Sequence, residues 1–80
     1  MNTTAFRPGD KIQVLAWTGD VINYGIVTRV SDELFQARQS HMDGTPDAHG
    51  SVDTFELKSG TWVLAGNDPN HYPTTVRIAE

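Results

Sequence analysis

Two imidazoles and two carboxylates fall within nine positions of one segment, His41-Met42-Asp43-Gly44-Thr45-Pro46-Asp47-Ala48-His49-Gly50. Imidazole nitrogen and carboxylate oxygen are good ligands for zinc and similar divalent ions. A loop turned at Gly44 and Pro46 can fold His41 back towards His49, so His41, Asp43, Asp47 and His49 form a candidate metal set. Their spacing matches no established ligand motif. An exposed polar loop accounts for the same composition, and a loop that responds to pH is a third reading. Other chemistry is sparse. None of Ser31, Ser40, Ser51 and Ser59 lies in a Gly-x-Ser-x-Gly elbow. There is no Gly-rich phosphate loop. Carboxylate pairs such as Asp32/Glu33 and Asp53/Glu56 read as solvated turn residues. No catalytic set and no cofactor are therefore expected.

Aromatic residues are the second source of candidates. Phe35, Phe55 and Trp62 are expected in a core. Trp17 borders a turn, and Tyr72 sits between a loop and the last extended segment. Tryptophan and tyrosine in such places anchor recognition surfaces. Trp17, Tyr24 and Tyr72, with Asn23 beside Tyr24, are the expected binding residues, framed by the 41–50 loop. An aromatic lid over the open end of a barrel is the competing account of the same rings.

The elements that position these residues read as short strands. Lys11–Trp17 alternates with Ile12, Val14 and Ala16 on one face. Thr18-Gly19-Asp20 is a turn. Val21–Val30 is the longest extended run, and Gly25 in its middle signals a bend, a bulge or a close backbone approach. Leu34–Gln39 reads as a third strand. Val52–Leu57 alternates like a strand, but Asp53 with Glu56 three residues later also fits the cap of one helical turn. Lys58-Ser59-Gly60 is a turn, Thr61–Ala65 a strand, Gly66–Asn70 a loop and Thr74–Ile78 a last strand.

Five or six short strands in 80 residues predict one all-β domain over 1–80. Its form is an SH3-like small barrel or a strongly bent antiparallel sheet, since closure protects strand edges. Residues 1–8 are expected to be a flexible arm. With no cysteine, disulfides, thiolate metal sites and thiol catalysis are excluded. Six Lys/Arg stand against ten Asp/Glu, for a net charge of −4. The six cations are scattered, which argues against a nucleic-acid partner. No apolar run approaches a membrane span and no apolar stretch opens the chain, so a cytoplasmic protein is expected.

Arg7-Pro8-Gly9-Asp10-Lys11-Ile12-Gln13-Val14 followed by Gly25-Ile26-Val27-Thr28-Arg29-Val30 resembles the opening of SH3-like barrels. The resemblance spans roughly residues 6–65 and implies a fold and a binding role. Small plasmid-type dihydrofolate reductases share that barrel, and His49-Gly50-Ser51-Val52 is similar to their active-site approach. Their pore-lining Val-Gln-Ile-Tyr element is replaced here by Val52-Asp53-Thr54-Phe55. Pro8-Gly9-Asp10, Gly25-Ile26-Val27 and Ala37 also resemble the core strands of NlpC/P60 papain-like hydrolases. The catalytic histidine position of that superfamily corresponds to Asn23 or Tyr24, and its cysteine is missing, so the resemblance implies an inactive relative. The expected function is a non-enzymatic protein-binding or regulatory module, such as a small autonomous inhibitor of the sort a phage encodes. The alternative is an oligomer with a small-molecule or catalytic site at a subunit interface.

Overall fold

Alternation along the chain resolves into six strands. They are β1 (Lys11–Leu15), β2 (Val21–Ser31), β3 (Leu34–Ser40), β4 (Val52–Lys58), β5 (Thr61–Leu64) and β6 (Thr75–Ile78). The computed structural model describes residues 6–79. Each strand pairs antiparallel with its chain neighbour, and β6 returns to β1, so the sheet closes as a barrel in the order β1-β2-β3-β4-β5-β6. No open edge remains, which removes the pairing hazard of a small sheet. Among the described residues no helix is long and apolar enough to cross a membrane.

The core is built from the inward positions of these strands. Ile12 and Val14 of β1, Val27 of β2, Phe35 and Ala37 of β3 and Phe55 of β4 are buried. The rings of Phe6, Phe35 and Phe55 form a stack, with centroids 4.4 Å apart for the first pair and 5.0 Å for the second. Trp62 meets Phe6 edge-on at 5.5 Å. Of the arm expected over residues 1–8, residues 1–5 lie outside the described residues, whereas Phe6 is part of the core. Arg7-Pro8-Gly9-Asp10 delivers it there. The Asp10 N–H donates to the Arg7 carbonyl, and Gly9 has φ +94°. Proline second and a positive-φ glycine third is the type II turn arrangement.

Gly25 explains itself by proximity. It faces Ile12 across the β1–β2 ladder, and a Cβ there would sit 3.1 Å from the Arg38 carbonyl and 3.4 Å from the Ile12 side chain. β2 places Gly25 and Val27 inside, then its register against β3 shifts between Val27 and Arg29. The extra residue of this bulge brings Val30 back onto the core. Val52–Lys58 is a strand, so Asp53 and Glu56 cap no helical turn. Ser59 and Gly60 both have positive φ, +51° and +79°, as a two-residue type I′ hairpin requires.

Candidate functional site

In a closed meander, alternate connections share one end of the barrel. The β1–β2 turn (16–20), the β3–β4 loop (41–51) and the β5–β6 loop (65–74) therefore emerge together, opposite the end closed by Phe6. The first of these is a tight hairpin. The Gly19 N–H donates to the Ala16 carbonyl, the Ala16 N–H donates to the Asp20 carbonyl, and Gly19 has φ +94°. A type I turn closed by a left-handed glycine puts Trp17 at the tip. Its side chain is 63% exposed.

The 65–74 loop brings Tyr72 to the same place. The Asn67 side-chain oxygen accepts the Thr74 N–H at 2.8 Å, and the Asp68 carbonyl accepts the His71 N–H at 3.0 Å. Asp68 Oδ1 accepts the Asn70 N–H at 2.9 Å. From β4, Glu56 accepts the Gly66 N–H and the Lys58 ammonium donates to the Asn67 carbonyl. Glu56 and Lys58 share the outer face of the sheet with Val63, which opposes Glu56 across the ladder. The loop is thus tied down on the side where Val63 is fully buried.

Held this way, Tyr72 has φ +52° yet is 67% exposed. A non-glycine residue in the left-handed region is strained, and its ring gains little burial in return. The Trp17 and Tyr72 rings pack edge to face, centroids 5.0 Å apart, and His71 lies 5.4 Å from Tyr72. Two of the expected binding residues therefore come together, and His71 joins them. Adjacency to Tyr72 is the only sequence signal for that histidine.

Asn23 and Tyr24 lie elsewhere. Asn23 is half-buried opposite Val14, on the inward face, and its Oδ1 accepts the Tyr24 N–H at 3.1 Å. Gln39 and Asp53 also lie on inward positions, and the Gln39 side-chain amide donates to the Asp53 carboxylate at 3.4 Å. Tyr24 points outward and lines a cleft of about 360 Å³ with Lys11, Gln13, Ser40, His41 and Asp43.

The His/Asp loop is a small hairpin rather than a metal cage. The His41 N–H donates to the Thr45 carbonyl, Ser40 bridges Pro46, and the tip leans back so that Gly44 sits against the Lys11 side chain. The Asp43 carboxylate accepts the Thr45 N–H at 2.9 Å and the Thr45 hydroxyl at 2.7 Å. Asp47 accepts the His49 N–H at 2.9 Å. These bonds fold the loop locally. Those to Thr45 hold the Asp43 carboxyl below the usual carboxylate range, with a smaller contribution from His41. Among the described residues no three His, Asp or Glu side chains are grouped to hold a metal ion. His41, Asp43, Asp47 and His49 are thus not assembled into the candidate metal set.

No family model, curated protein or solved structure matches this chain.

Proposed function

We propose that the chain is a non-enzymatic binding module of SH3-like type that docks a protein partner through the loop end of its barrel. In this role it acts as a regulator, for example as a small inhibitor. The observation that carries the reading is the exposed Trp17–Tyr72 pair, with Tyr72 kept in a strained backbone conformation. Large, rigid rings contribute contact area at low entropic cost and dominate binding hot spots. The alternative of a small-molecule site between copies of the chain has no comparable support.

The test is affinity capture from the native host, followed by binding measurements with the purified captured protein. Trp17→Ala should fold normally and weaken that binding by about 30-fold, the loss typical of a hot-spot residue. Unchanged affinity, or loss of the fold, would contradict the proposal.

A further inference from the structure

The turn and loop that present the aromatic pair carry carboxylates. Residues 16–20 and 65–74 carry Asp20, Asp68 and His71 and neither Lys nor Arg of their own, although the Lys58 ammonium reaches the Asn67 carbonyl from β4. Their carboxylates are held by neutral donors. Asp20 accepts the Thr18 hydroxyl and Asp68 the Asn70 N–H, while Asp43 and Asp47 accept from Thr45 and His49. The one ion pair among the described residues, Lys58–Glu56, does not involve them. Asp43 has the Lys11 side chain nearby, so Asp20 and Asp68 are the carboxylates that belong wholly to the turn and loop presenting Trp17 and Tyr72.

An aromatic face attracts Arg and Lys side chains, and neighbouring carboxylates add to that attraction. We infer that the partner docked at this end is a protein presenting a basic surface, with an Arg or Lys side chain laid against the Trp17–Tyr72 rings. This inference rests on the docking role proposed above and names the chemistry of the partner. A nucleic acid, carrying the same sign of charge, is repelled from this end.

The test titrates the isotope-labelled full chain with two synthetic peptides of equal length, one rich in Arg and Lys and one rich in Glu. The basic peptide should shift the Trp17 indole N–H and the amides of 16–20 and 66–74, and raising salt from about 20 mM to about 200 mM should weaken it severalfold. Asp20→Asn with Asp68→Asn keeps an oxygen acceptor at each turn and should cost about fivefold in affinity. The inference is overturned if the Glu peptide binds equally well. It is also overturned if the basic peptide shifts other regions, or shifts nothing at millimolar concentration. The captured partner separates the two ideas. Binding that needs Trp17 but ignores salt and the Asp double variant keeps the docking role and removes the basic partner. Binding that ignores Trp17 removes both.

Discussion

Trp17 and Tyr72 are exposed enough that their rings contribute little to the stability of the barrel, and Tyr72 adopts a left-handed backbone. That conformation costs about 1–2 kcal/mol in a residue with a Cβ. Tyr72→Gly should therefore leave the melting temperature unchanged or raise it, while weakening partner binding. A fall of more than about 5 °C would identify the ring as structural instead. Asp43 gives a pH prediction whose sign follows from its lowered pKa. The folded state favours the carboxylate, so its contribution is present above the ordinary Asp pKa. It is lost as pH falls through the lower folded value. The Thr45 amide resonance should move through that acidic range in the wild type and not in Asp43→Ala. An Asp43-independent transition would show that the Thr45 bonds do not set it.

At the scale of elements, turn chemistry and strand alternation were the legible parts. Thr18-Gly19-Asp20, Lys58-Ser59-Gly60 and the alternating runs around them carry their signals locally, and each became the turn or strand expected. The helical cap suggested by Asp53 and Glu56 failed because both side chains act at long range. Asp53 meets Gln39 across the sheet and Glu56 meets Gly66. The bulge near Thr28 was equally hidden, since one extra residue leaves no mark in composition, yet it decides that Val30 faces the core. Two substitutions test this layer. Ser59→Asn, better suited to positive φ in a type I′ turn, should stabilise by up to about 1 kcal/mol in urea unfolding. Gly25→Ala forces a methyl to within 3.1 Å of the Arg38 carbonyl and should destabilise by about 1–3 kcal/mol. No loss in Gly25→Ala would mean that β2 and β3 separate more readily than the packing implies.

For the molecule as a whole, closure and charge layout matter most. Phe35 touches the rings of Phe6, Phe55 and Trp62, so Phe35→Ala should cost about 3–5 kcal/mol, a large share of the stability of so small a domain. Trp17→Ala should cost far less, and that contrast separates the packed interior from the loop end. The aromatic part of the candidate site was half legible. Trp17 and Tyr72 announce themselves by bordering turns, whereas the opposite facing of Asn23 and Tyr24 was hidden, because alternation alone does not say which strand face is inside. The shape of the His/Asp loop was hidden for a related reason. Composition shows ligand atoms but not that Asp43 and Asp47 each accept a backbone N–H that folds the loop locally. That the turn carrying Asp20 and the loop carrying Asp68 emerge beside each other depends on strand order, which no local pattern carries. The docking claim is tested most directly by hydrogen exchange of the chain alone and bound to its purified partner. The account predicts new protection confined to residues 16–20 and 66–74. Protection centred on 31–34 and 58–61, at the opposite end of the barrel, would contradict it.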